Sequence, residues 1–365
     1  MRIVLFENFF TERGTTTSLL SLAETLQENL DADVTFAYDT RSKLRHDPAI
    51  FNKISEAYEV LEFENVSSFD RQILNRKITH FYSLKAGHID RFFSLEVPNL
   101  IHSVFEVFQP HGFRYAYVSQ SLANQILSSP KSLKRLRTES YLQTFLDHRK
   151  NRNLDENYTF KNIYELVRGC TNAYDLAVVP HIIKDHSEYE TNLREKLGIP
   201  KSATVIGSLS ASDQFNLDFV RAELPQLLDR YGDLVFLGPN LEPFFKHERA
   251  YWLPRITDTE TKTRYLNTIN IMIHAREMGE SFGLAICEAL AAGKPVFAWS
   301  GGHDRNHTAL LGGVGTLYSD GQSLATLVEM YFQGHFRAPG SFQEIVKEFS
   351  SFEVAERFKE TFLND

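Results

Sequence analysis

The chain alternates short apolar runs with longer stretches in which apolar residues recur at helical spacing. Residues 3–6 form the first run and 8–14 a polar loop. Leu19, Leu20, Leu22, Ala23 and Leu26 are then spaced for one face of a helix over 15–30. The serine and threonine residues at the head of that stretch are expected to cap it. Further strand-like runs fall at 34–38, 80–84, 100–104, 115–118 and 175–179, with a helix expected from Ser119. The pattern breaks at Gly198-Ile199-Pro200 and resumes, with strands expected at 204–207, 234–237, 269–274 and 295–299. A helix is expected over 217–228 and an amphipathic helical tail over 342–362. Apolar runs separated by crossover helices are what a parallel sheet requires, because helices cover both of its faces. The expected fold class is α/β, with two Rossmann-like, doubly wound domains over 1–184 and 202–341. A linker over 185–201 joins them, and the last stretch, 342–365, is expected to pack back toward the first domain. Sheets of this kind bind ligands beyond the carboxyl ends of their strands.

Composition narrows the function classes. A net charge of -8 argues against a nucleic-acid partner, since phosphate neutralisation needs a dominant basic face. Two cysteines, Cys170 and Cys287, sit in unrelated contexts and make no disulfide framework, so a reducing cytoplasm is the expected location. The amino terminus reads as a strand rather than a secretion signal, and no apolar stretch is long enough to span a bilayer. Membrane contact, if made, is peripheral and at the inner face. The segment over 131–153 carries Lys131, Lys134, Arg135, Arg137, Arg149, Lys150 and Arg152 against Glu139 and Asp147. It reads either as a solvated helical face or as a patch for a phosphorylated or membrane-bound acceptor.

The chemistry concentrates between His274 and Val296. A strand ends near His274, a polar loop follows, and a helix is expected to begin around Ser281 to Gly283 with Ser281 as its cap. Gly293 and Pro295 stop it. Unpaired amides at such a helix start, together with the helix dipole, form a site for a diphosphate, and Gly283 lets a ligand approach the backbone. Ser281, Phe282, Gly283 and Leu284 are therefore candidate donor contacts. Glu288 stands one turn beyond Leu284, placed to accept hydrogen bonds from a ribose diol. Glu280, just before the helix, would reach a sugar and stabilise positive charge at an anomeric carbon. A capped crossover helix with two surface glutamates would have the same spacing. His303, Asp304 and His307 lack the spacing and a fourth ligand for a metal, and no metal is expected.

This segment resembles the Glu-x7-Glu signature of retaining glycosyltransferases of the GT-B type, in particular glycosyltransferase family 4. The likeness covers Gly279-Glu280-Ser281-Phe282-Gly283-Leu284 and continues through Glu288-Ala289-Leu290 and Gly293-Lys294-Pro295-Val296 without a gap. Ser119-Gln120-Ser121 and Val179-Pro180-His181 resemble further segments of the family, and Arg13-Gly14-Thr15 its glycine-containing first loop, which puts Gly14 beside the donor phosphates. His102 ends a strand where such enzymes place a histidine near the donor sugar. The resemblance implies two Rossmann-like domains with a cleft between them. It also implies transfer from a nucleoside-diphosphate sugar of UDP or GDP type to a glycan or lipid-linked hydroxyl acceptor, with retention and no permanently bound cofactor. The family's Gly-Arg-Leu-x-x-x-Lys is replaced here by Gly207-Ser208-Leu209-Ser210-Ala211-Ser212-Asp213, which lacks both cations. Two phosphate charges need compensation. Arg276 is the expected substitute, with Arg13 and Arg305 behind it. A catalytically silent scaffold and a sugar-nucleotide 2-epimerase stand as alternatives. A dinucleotide oxidoreductase is disfavoured, because the first strand leads into Glu7-Asn8-Phe9 rather than a Gly-x-Gly-x-x-Gly turn.

Overall fold

The structure is a computed structural model and describes residues 1–150, 158–184, 191–336 and 341–364. The chain divides into two compact units, one formed by Met1–Ile182 with the segment from Ser351 onward, the other by Ile183–Ser350.

In the first unit β1 (Arg2–Phe6), α1 (Gly14–Leu30), β2 (Asp33–Asp39), α2 (Pro48–Ala57), β3 (Glu59–Phe63), α3 (Val66–Arg76), β4 (His80–Lys85), β5 (Asn99–Ser103) and β6 (Arg114–Tyr117) follow in chain order. After them come α4 (Gln120–Leu127), α5 (Leu133–Lys150) and α6 (Phe160–Gly169). All six strands pair in parallel in the order β3-β2-β1-β4-β5-β6. β3 was not legible as a strand because Glu59 and Glu62 break Glu59-Val60-Leu61-Glu62-Phe63 and leave little apolar run, as befits a sheet edge. The run at 175–179 is not a strand. Leu176 takes a left-handed conformation (φ 49°), and a single bridge joins Val178 to Tyr117. Aromatic packing fills one face of the sheet: Phe63 stacks on Phe69 at 4.3 Å, and Phe6 lies 4.7 Å from Phe92.

The expected cap of α1 is corrected. Arg13 is its cap residue and supplies no side-chain hydrogen bond. Thr15 and Thr16 instead donate their hydroxyls to the buried carboxylate of Glu7 at the end of β1.

The second unit begins with α7 (Arg194–Leu197), β7 (Thr204–Gly207), α8 (Asp218–Arg230), β8 (Leu234–Pro239), β9 (Ala250–Leu253), α9 (Thr259–Thr268) and β10 (Ile271–His274). It continues with β11 (Gly279–Glu280), α10 (Leu284–Ala291), β12 (Val296–Trp299), β13 (Asp304–Arg305), α11 (Asn306–Leu311), β14 (Leu317–Tyr318), α12 (Gly321–Phe332) and α13 (Phe342–Val346). Its six-stranded parallel sheet runs β14-β12-β10-β7-β8-β9, and β11 and β13 form a separate parallel pair. Part of the expected linker, 185–190, lies outside the described residues. The tail is not one helix over 342–362, because Ser350 is extended (ψ 156°). α14 (Ser351–Phe358) starts afresh beyond it and packs in the first unit, where Phe358 and Phe362 lie 5.7 and 5.8 Å from Tyr82.

Candidate active site

β10 carries the chain through the middle of the second sheet and releases it at His274, the carboxyl end where open α/β sheets place ligands. The short β11–β13 pairing then holds the next turn, matching Gly279 to Asp304 and Glu280 to Arg305. Gly279 has φ 77°, and a Cβ there would lie 2.1 Å from the Asp304 carbonyl oxygen and 2.7 Å from His307 Cε1. Only glycine fits.

The Glu280 carboxylate is 18% exposed and has donors on both oxygens. His274 Nε2 lies 3.0 Å from Oε1, and Arg276 Nη1 donates to Oε2 at 2.9 Å. Burial works against the charged form, but the bond from His274 and the charges of His274 and Arg276 outweigh it, so the carboxyl titrates below its usual range. The Glu280 backbone amide donates to His307 Nδ1 at 3.3 Å, and the other His307 nitrogen meets the Trp299 carbonyl at 2.9 Å. Burial pushes His307 down to about 4, so its ring is neutral at ordinary pH.

The start of α10 differs from the expectation. Gly283, with φ 93° and ψ 56°, is the cap residue, and the helix opens at Leu284 without a side-chain cap, so Ser281 does not serve as one. Phe282 turns inward onto Phe349 at 5.1 Å, and its carbonyl accepts from Asn306. The first-turn amides of α10, from Leu284 on, lack intrahelical acceptors. Glu288, one turn along, is 14% exposed and bound by Lys262 Nζ at 2.7 Å.

The structure thus gathers Glu280, Arg276, Ser281, Phe282, Gly283, Leu284 and Glu288 into one loop-and-helix segment. Gly14 and His102 belong to the first unit. Gly14 opens α1 beside the Glu7 cluster. His102 is 2% exposed, with Nδ1 2.5 Å from the Tyr82 hydroxyl and its ring against His181 and Phe362, and burial lowers it to about 4. Ser208, where the family has arginine, is fully buried, and its carbonyl accepts from Tyr265. Asp213 is exposed. Sequence reasoning missed Lys262, His307 as a partner of Glu280, and Tyr265, since none stands at a spacing that points to the site.

Residues 200–329 match the family described as Glycosyl transferases group 1. No curated protein matches the chain. Solved structures similar over the whole chain include HepE from Anabaena in complex with UDP and glucose, at 14% identity, TM-score 0.66 and 99% coverage of both chains. A glycosyltransferase from Rickettsia africae has 11% identity, TM-score 0.63, and coverage of 100% of this chain and 99% of its own. WaaG, a glycosyltransferase involved in lipopolysaccharide biosynthesis, has 10% identity, TM-score 0.61 and full coverage of both chains. The fold is GT-B. The region matching the group 1 family contains β7 through most of α12 of this GT-B chain, and with them every residue of the Glu280 and Glu288 clusters. Among the described residues no group of three or more His, Cys, Asp or Glu side chains is arranged to hold a metal. Among them, too, no helix is long and apolar enough to cross a membrane.

The described part of the basic segment carries four cations, Lys131, Lys134, Arg135 and Arg137, against the single carboxylate of Glu139. Lys131 and Arg135 both pair with Glu139, and Arg137 donates to the Val167 carbonyl and lies over Tyr141 and Tyr174. Its side chains beyond Leu146 lie outside the described residues.

Proposed function

We propose that the chain transfers a sugar from a nucleoside-diphosphate sugar to a hydroxyl acceptor with retention of anomeric configuration, as in the family 4 enzymes its Glu-x7-Glu segment resembles. The observation that carries the reading is Glu280, an anion held by two donors at the carboxyl end of β10, immediately ahead of the open amides of α10. In this reading those amides and Gly283 take the diphosphate, aided by the N–H groups of Arg276 not committed to Glu280. Glu288 takes the ribose diol. The free lone pairs of Glu280 face the sugar and stabilise charge developing at the anomeric carbon. The leaving diphosphate assists the incoming hydroxyl on the same face. The complex of HepE with UDP and glucose supports a UDP-type donor. We assign His102 to the packing of the first unit, because its ring is enclosed, and the glycan or lipid-linked acceptor to the same unit.

A silent scaffold is the second reading, favoured by the buried Ser208 and exposed Asp213 where cations stand in the family. One experiment separates them. UDP- and GDP-sugars are incubated with the protein and candidate acceptors, and the anomeric couplings of donor and product are read by proton NMR. The enzyme reading expects product of the donor's configuration, together with slow donor hydrolysis. Inverted product would remove retention. Nucleotide binding without transfer or hydrolysis across the panel would leave the scaffold.

A further inference from the structure

Glu280 is gripped at three points by three residues, of which His274 and Arg276 stand just before it in sequence and His307 lies beyond the signature segment. Oε1 receives His274 and Oε2 receives Arg276, while the backbone amide is taken by His307. His307 can accept at Nδ1 only if its proton sits on Nε2, and the Trp299 carbonyl 2.9 Å from that nitrogen requires it there. The two imidazoles lie 5.3 Å apart, their rings inclined at 41°. His274 is itself anchored, since its carbonyl accepts from the buried Tyr318 hydroxyl at 2.7 Å. Each contact comes from a different strand end or helix start: β10 supplies His274, α11 supplies His307, and β12 supplies the Trp299 carbonyl. The grip is therefore tertiary, and it leaves part of the carboxylate unbonded on its exposed side.

We infer that His274 and His307 are positioning residues for Glu280, His274 aiming the carboxylate through Oε1 and His307 locking the backbone of the same residue. This rests on the reading of Glu280 as the sugar-side carboxylate. A carboxylate held by donors on both oxygens has a single orientation, and its unshared lone pairs meet the ligand without reorganisation. His307 contributes as a fixed neutral ring, for which a protonated imidazole could not substitute, because Nδ1 would then oppose the amide donor. Neither imidazole touches the donor in this assignment. Arg276 completes the grip but also carries charge toward the phosphates, so its loss would confound two roles, and the histidines separate them.

The test uses the full-length protein with UDP and UDP-glucose as probes. His274→Ala should lower kcat for UDP-glucose hydrolysis or transfer roughly 10- to 100-fold, the size expected for a lost hydrogen bond to a charged group, with KM changed less than about threefold. His274→Gln, whose amide can donate to Oε1, should recover part of that loss. UDP affinity should stay within about twofold in both. Independently of turnover, 15N NMR of the imidazoles should show His307 in the Nε2–H tautomer between pH 6 and 8. The carbon-13 carboxyl signal of Glu280, assigned by Glu280→Gln, should titrate at higher pH in His274→Ala than in the parent. A His307 ring protonated on Nδ1, or a Glu280 titration unmoved by His274→Ala, would overturn the positioning assignment. If both NMR results hold while the parent turns over neither UDP-glucose nor any other sugar nucleotide, the grip stands and the transferase reading fails.

Discussion

Glu7 and Glu280 are both withdrawn from water, and burial raises both while their neighbours lower both, but the balance falls on opposite sides. Glu280 has an imidazole and a guanidinium and stays below the usual carboxylate range, whereas at Glu7 burial outweighs the Thr15 and Thr16 hydroxyls and the charge of Arg13 and lifts it to about 7. Between its ordinary value of 4.5 and about 7, folded Glu7 keeps a proton that the unfolded chain has lost, and stability falls as pH rises across that window. Glu7→Gln should flatten this slope, leaving the variant more stable than the parent at pH 8 by an amount on the order of 3 kcal/mol. Urea unfolding at pH 5 and pH 8 measures it, and an unchanged slope would mean another group titrates. At Glu288 the decisive neighbour is Lys262, 2.7 Å away. Glu288→Ala should weaken UDP binding by roughly 1–3 kcal/mol if its carboxylate holds the ribose. Lys262→Met should weaken it less, and the pair should be non-additive in a double-mutant calorimetric cycle. Full additivity would show that Lys262 does not act through Glu288.

Among the elements, the two-residue strand β11 is one of the shortest and is tightly constrained. It exists because Gly279 and Gly302 lie against each other: a Cβ on Gly302 would fall 2.8 Å from the Gly279 backbone, and Gly279 itself has no space toward Asp304. Gly279→Ala would need both a left-handed backbone and the displacement of a carbonyl, and it should cost roughly 2 kcal/mol or more. Gly313→Ala is the matched control, since nothing lies within 4 Å of its added Cβ. The two melting temperatures, taken with the UDP affinity of each variant, check this. Equal melting temperatures would show that the β11–β13 turn yields easily. Element ends also show where side chains compete for the same polar groups. α3 and α12 carry capping boxes, Asn65 with Ser68 and Asp320 with Ser323. α1 has none, because the side chain of its cap residue Arg13 carries only donors, and its threonines serve Glu7.

Across the molecule, the chain leaves the first unit near Ile182 and contributes to it again from Ser351. Val354, Ala355, Phe358 and Phe362 are fully buried there, so α14 belongs to that unit's core rather than being an ornament. A chain ending at Ser350 should lose several kcal/mol from the first unit, and its melting transition should fall by roughly 10 °C or more. Hydrogen exchange followed by mass spectrometry should show faster exchange in β4, which carries Tyr82. In the full chain, UDP should slow exchange in α10 and the β10–β11 turn while leaving β4 unchanged, because the proposed donor contacts belong to the second unit. Protection spread evenly over both units would contradict that assignment.

The alternation of strands and helices was legible from the sequence because it depends on local periodicity, and 3–6, 80–84 and 204–207 each needed only their own residues to read as strands. The same is true of α10, where a glycine before and a glycine and proline after bound an apolar run carrying Glu288 one turn beyond its start. The edge strand β3 escaped, since a half-buried edge needs no continuous apolar run, and β9, an apolar run of only four residues, escaped as well, while 175–179 misled because Leu176 is left-handed for reasons outside its own sequence. The order of the strands, the pairing of β11 with β13, and the arrival of Lys262 at Glu288 and of His307 at Glu280 belong to tertiary structure alone. They join residues 25 to 27 positions apart through the packing of separate elements, and no spacing rule encodes a contact that exists only once those elements are packed.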